Sequence, residues 1–223
     1  VTFPLVLFQT SCDLLSGVPA GTVTGQVNYD GRPAPGITLK LQTQSSGSWT
    51  DKATGSTDAS GQYTFSQLSN GLYRIVYAQV PVVTSGGVTI GPKTVRSWTS
   101  NSVSIGLGGA RIAPFELAYD GLIYPESGKS NAYSASQPLP FHWSTHRDAI
   151  SYRVNLYSIN GGVTASKPTW QSDWTPQPVT QLSQGFAKGN YQWEVEIDAD
   201  SEGSGFSERR GLDLDFQTPQ ASS

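Results

Sequence analysis

Two histidines, His142 and His146, stand four residues apart, the interval at which a helix turns two imidazoles toward one zinc ion. The residues between them are Trp-Ser-Thr, without a glutamate to activate water, and His142 lies in the alternating segment "LPFHW". In extended backbone, positions i and i+4 are about 13 Å apart, too far to share a metal, so both are read as surface histidines. A Ser-His-Asp or Cys-His site would have to use one of these two. Cys12, the single cysteine, sits in the N-terminal tail with no base of its own. Glu194 and Glu196 alternate onto the solvent face of a strand and, lacking a cleft, do not form an acid–base couple. No catalytic, cofactor-binding or metal-ligating set can be assembled, and the expectation is a protein that is not an enzyme and uses no cofactor.

Two further groups have a chemistry of their own. The run "DADSEG", Asp198 to Gly203, matches the first half of a calcium loop, with oxygen ligands at alternate positions and glycine at the sixth. Arg209 occupies the place of the bidentate glutamate, so a solvated acidic turn is preferred to a calcium site. Six tryptophans raise stacking on sugar rings. Trp143 and Trp193 belong to predicted core faces; Trp98, Trp170 and Trp174 are less clearly buried, with "TWQSDW" able to present two rings side by side.

The elements that must position these residues are strands. Of 223 residues, 14% are charged, 24 are glycine and 14 proline. With abundant Ser, Thr, Tyr and Val, the mix favours strands and turns over helices. No segment of a dozen residues keeps an apolar stripe at helical spacing. Alternation begins at Val23, Gly25, Val27 and Tyr29, breaks at Asp30-Gly31, and resumes with Ile37, Leu39 and Leu41. Residues 44–56 are a polar hairpin region. In "STDASGQYTFSQLSNGLYRI", residues 56–75, an Asp58–Gly61 turn leads to inward Tyr63 and Phe65, and Asn70-Gly71 leads to Tyr73, Ile75 and Tyr77. Beyond a composition shift near Asp120-Gly121, inward rows recur as Phe141 and Trp143, as Tyr152, Val154 and Leu156, and as Tyr191, Trp193, Val195 and Ile197. Regularly spaced short runs of this kind specify β-sandwiches. The fold class is all-β: an apolar segment and linker at 1–21, sandwiches at 22–119 and 120–218, and a tail at 219–223.

Gly25, Gly31, Gly36, Thr57, Asp58, Gly61, Tyr63, Phe65, Leu68, Gly71 and Tyr73 follow the pattern of the carboxypeptidase-regulatory-like, or transthyretin-like, β-sandwich family, which residues 20–80 resemble. The resemblance implies an accessory or surface module of an exported protein. Residues 139–197 look like a fibronectin type III or related immunoglobulin-like domain, through "FHW", "SYRVNLY" and "GNYQWEVEI". Adhesin-type pilin domains resembling the first module are locked by a Lys–Asn amide bond that a buried glutamate promotes. Here the matching strand reads Gly71, Tyr73, Ile75, Tyr77, and Gln26 and Val27 stand where the lysine belongs, so packing alone is expected to hold the domain.

The net charge is −3 and the 14 Lys plus Arg are scattered, which leaves no footprint for nucleic acid. No apolar run reaches transmembrane length. The lack of methionine and the low charge lead to the expectation of a processed, exported, extracellular or cell-surface chain. The segment "VTFPLVLF" must be covered by something. As a donated strand it would place Phe3, Leu5, Leu7 and Phe8 on a neighbouring copy, and head-to-tail donation builds a filament. Alternatively, Thr10-Ser11-Cys12 resembles a lipobox, with Gln9 in the aliphatic position, and Cys12 would carry a lipid anchor. The expected function is therefore a structural or adhesive surface protein whose partners are copies of itself, with surface glycans as the alternative.

Overall fold

The computed structural model describes residues 17–79, 83–85, 88–90 and 93–218. Phe3, Leu5, Leu7, Phe8 and Cys12 lie outside the described residues, as does the tail at 219–223. The protein is all-β: among the described residues, apart from one 3-10 turn, Asp200–Glu202, every regular element is a strand. Among the described residues no helix is long and apolar enough to cross a membrane.

In the first half, the strand Val23–Tyr29 is the centre of one sheet. It pairs antiparallel with Gln62–Phe65 and Arg32–Pro33, and parallel with Ala110–Arg111 and Phe115–Glu116. The other sheet runs Ser48–Ser56, Thr38–Ser45 and Gly71–Ala78, whose far edge pairs with Val103–Ile105 along its first residues and with Ser97–Thr99 along its last. Val23, Val27, Leu39, Leu41, Tyr63, Tyr73, Ile75 and Tyr77 are buried in one apolar cluster, as the period-2 pattern requires.

Local chemistry fixes the turns. The Asp58 carboxylate accepts from the N–H groups of Ser60 and Gln62 at 2.8 and 2.9 Å, and Gly61 takes a φ of +67° where an added Cβ would stand 2.6 Å from the Val27 carbonyl. Gly25 has a different role. A Cβ there would lie 2.3 Å from the Tyr63 hydroxyl, so the missing side chain is the space that the tyrosine ring fills.

In the second half, Leu122–Tyr124, Leu139–Trp143 and Val179–Leu182 form one sheet. Opposite it, Gly189–Asp198 pairs with Ser151–Asn160 on one side and Arg210–Phe216 on the other, with Ser130–Tyr133 parallel to the last. Phe141 meets Trp193 edge-on at 4.9 Å, and Trp143 meets Tyr152 at 5.7 Å. Such pairs combine large apolar area with favourable ring electrostatics.

Hydrogen bonding does not stop between the halves. Ser204–Phe206 pairs with Gly189–Asp198 on one side and with Ser97–Thr99 on the other, and Ser97–Thr99 in turn pairs with Gly71–Ala78. One sheet therefore continues from Ser48–Ser56 through to Ser151–Asn160.

Candidate functional site

The side chains with the richest chemistry gather where the halves meet. Trp98 lies at the middle of Ser97–Thr99, paired with Tyr77 and Gly205. Its ring points to the interior, fully buried. It stacks on Phe115 at 5.8 Å and on His146 at 5.2 Å, and its Nε1 donates to the Glu202 carbonyl at 3.3 Å. Gly205 leaves room for it: a Cβ there would sit 2.4 Å from the indole.

His146 is buried, which corrects the expectation of a surface histidine. The Asp148 N–H donates to its Nδ1 at 3.3 Å, so the proton resides on Nε2, which donates to the Glu116 carbonyl at 3.1 Å. Burial holds its pKa below the usual histidine value, which agrees with this neutral tautomer. The ring links a second-half loop to a first-half strand. His142 is exposed on Leu139–Trp143, and the two imidazoles do not converge. Among the described residues no group of three His, Cys, Asp or Glu is arranged to hold a metal ion.

On the outer face of the continuous sheet, Glu194 alternates outward as expected, yet its side chain is only 1% exposed. Residues from elsewhere cover it. Arg96 Nη2 donates at 2.5 Å, Tyr157 Oη at 2.6 Å and Arg209 Nε at 3.0 Å. The Arg209 guanidinium also lies 4.0 Å from the Tyr157 ring centre. Burial and the bond to the Glu194 carboxylate push the Tyr157 phenol up to about 12. The solvent-facing reading of Glu194 is thus corrected: a buried carboxylate binds Arg96 of the first half to Arg209 and Tyr157 of the second. Glu196 keeps a partly exposed pair with Arg153 at 2.6 Å.

The acidic run forms the 3-10 turn and serves the same junction. Asp198 accepts from the Asp200 N–H at 3.1 Å, and Asn101 Nδ2 donates to the Asp200 carbonyl at 2.7 Å. Burial and the nearby Asp148 carboxylate push Glu202 up to about 7.

The tryptophans separate. Trp98 has no face open to solvent, so its candidacy for sugar stacking is withdrawn. Trp170 is half-buried, opposite the core residue Leu156 and 6.3 Å from Phe141. Trp174 is 43% exposed, with the Arg153 guanidinium 4.8 Å over its ring on the outer face. The rings of "TWQSDW" therefore lie on opposite sides of the strand Ser151–Asn160 and not side by side. Arg96 escaped the sequence reading because nothing in its spacing shows that strands 98 residues apart become neighbours, and Tyr157 and Arg209, 37 and 15 residues from Glu194, because alternation does not show which cross-strand side chains converge on one carboxylate.

No family model matches the chain, and no curated protein sequence matches it. Among solved structures it is similar to a "putative carbohydrate binding protein" of Bacteroides uniformis, at 12% identity over 88% of this chain and 100% of that one, with a TM-score of 0.31. It is also similar to the major pilin subunit of Bacillus cereus, at 12% identity over 87% and 69% of the two chains, TM-score 0.30. Fibronectin(III)-like modules of Clostridium thermocellum are similar at 14% identity over 89% and 90%, TM-score 0.28. Likeness at this level assigns neither a partner nor an activity to the chain.

Proposed function

We propose that this protein is a non-enzymatic structural and adhesive module of an extracellular surface, built to hold two β-sandwiches in one fixed relation. The observation that carries the reading is the continuous sheet through Ser97–Thr99 and Ser204–Phe206, locked on its inner face by Trp98 and His146 and on its outer face by Glu194. Side chains able to do acid–base work elsewhere, His146, Glu194 and Glu116, are here bound to backbone or arginine. A joint of this kind resists bending, which is what a spacer or fibre subunit requires. On this reading, 22–119 is a carboxypeptidase-regulatory-like module and 120–218 a fibronectin type III-like one. Copies join head to tail through Phe3, Leu5, Leu7 and Phe8.

The test is deletion of residues 1–12, followed by sedimentation and electron microscopy. The full chain is expected to assemble and the truncated one to remain a monomer. A full chain that stays monomeric at high concentration, or a truncation that leaves assembly unchanged, overturns the filament. Membrane association lost together with Cys12 would instead identify a lipoprotein. A second reading, glycan binding, draws on the exposed Trp174 under Arg153, and loss of polysaccharide retention in Trp174→Ala tests it.

A further inference from the structure

A polar cavity of about 420 Å³ opens between the halves, walled by the Tyr29–Gly31 turn, Lys93, the segment 116–120, Thr145 and Arg147. Its floor is fixed. Glu116 is buried, and its carboxylate accepts four backbone N–H groups: those of Asp30, Leu117 and Ala118 on Oε1, at 2.9, 3.0 and 2.9 Å, and that of Gly31 on Oε2 at 2.8 Å. The turn carrying Asp30 is thereby pinned, and Glu116 has little capacity left for a ligand.

The wall groups differ in their commitments. Lys93 and Asp120 neutralise each other at 2.8 Å. Asp30 and Arg147, by contrast, form no ion pair, and among the described residues neither side chain has a hydrogen-bond partner. Arg147 is nevertheless positioned. Its guanidinium rests on Gly31, with Nη1 only 2.1 Å from where a Cβ would stand. Glycine at this turn thus makes the seat for the arginine.

An uncommitted guanidinium presents a planar fork that matches a carboxylate. An uncommitted carboxylate in the same lining, which also includes Thr145, calls for hydroxyl donors. The lining is predominantly polar, which disfavours an apolar molecule, and half-buried Tyr29 supplies one aromatic wall. We infer that this cavity binds a carboxylated sugar, a uronic-acid unit of a surface polysaccharide, with its carboxylate on Arg147 and ring hydroxyls on Asp30. The inference rests on the adhesive part of the reading above and names its ligand class.

The test is titration of the full chain with short oligogalacturonates, with glucose oligomers and glycine as comparison probes, followed by NMR or calorimetry. Saturable oligogalacturonate binding is expected, weakened about tenfold or more by Arg147→Lys, which keeps the charge and loses the fork. Asp30→Asn is expected to weaken it several-fold. Both positions are exposed, and thermal melts would verify that the variants fold. Absence of saturation, indifference to Arg147→Ala, or equal binding of neutral glucose oligomers overturns the inference. Tighter binding of glycine also overturns it, in favour of a zwitterion. Oligogalacturonate failure with assembly still lost on deleting residues 1–12 removes this site alone; failure of both removes the wider reading.

Discussion

Replacing Glu194 measures how strongly the two halves are held on their outer face. In Glu194→Ala, Arg96, Arg209 and Tyr157 lose their common acceptor. Hydrogen bonds to a charged group contribute about 1.5–3 kcal/mol each. However, the Arg96 and Arg209 side chains are 38% and 30% exposed and recover water, so the terms do not simply add. Breaking a buried ion pair by removing one partner costs about 3–5 kcal/mol, and the lower part of that range is expected here. Arg96→Ala leaves Glu194 bonded to Arg209 and Tyr157 and should cost less, about 1–2 kcal/mol. The decisive quantity is the coupling. In a double-mutant cycle by urea unfolding, Arg96 and Glu194 should couple by more than about 1 kcal/mol, inside the usual range for residues in contact. Coupling indistinguishable from zero, or a Glu194→Ala protein as stable as its parent, would refute the claim that this network holds the halves together.

Other consequences are as direct. The Glu202 carboxyl, pushed up to about 7 from 4.5, binds a proton more readily folded than unfolded, so its contribution is fullest below pH 4.5 and is lost as pH rises through 7. His146, held low, contributes in the opposite sense but is common to parent and variant and cancels between them, so Glu202→Gln, whose neutral amide cannot ionise, should gain stability relative to the parent as pH rises from 4.5 to about 7; a difference that stays flat or moves in the parent's favour contradicts the assignment. Trp98→Ala should cost about 3–5 kcal/mol in denaturant unfolding, and a loss under 1 kcal/mol would show that the inner stack does not hold the joint. Gly61→Ala should destabilise by at least about 1 kcal/mol, because its positive φ is one side chains rarely adopt; thermal unfolding checks this.

The all-β class and most inward rows were legible in the sequence because period-2 alternation records one sheet's burial directly. Tyr73, Ile75 and Tyr77, or Tyr191, Trp193, Val195 and Ile197, are buried as their spacing requires. The same rule placed Glu194 on the outer face, correctly, and then implied solvent, incorrectly. Alternation states which side of a strand a residue occupies, and not whether a distant arginine will cover it. His146 was misjudged for a related reason: in a loop there is no period to read, and its burial comes from Trp98 and Tyr119, both from the other half. The cavity at Asp30 and Arg147 was illegible too, since it brings together groups more than a hundred positions apart.

The junction also bears on where the chain can be divided. A cut at the composition shift, between 119 and 120, passes through a link that is short in sequence but not the principal one in space. It would strip Ser97–Thr99 of its partner Ser204–Phe206, including the bond from the Arg96 N–H to the Phe206 carbonyl at 2.7 Å. It would uncover one face of Trp98 where His146 now stacks, and leave Glu194 buried with one arginine in place of two. An unpaired strand edge beside an exposed indole is an aggregation hazard. Fragment 22–119 should therefore be less stable and less soluble than the same residues within the chain, and adding fragment 120–218 should restore protection. Hydrogen exchange at Arg96 and Trp98 reads this directly. If 22–119 alone protects those amides as well as the whole protein does, the joint is a contact between independent modules, and its stiffness must come from something other than the shared sheet.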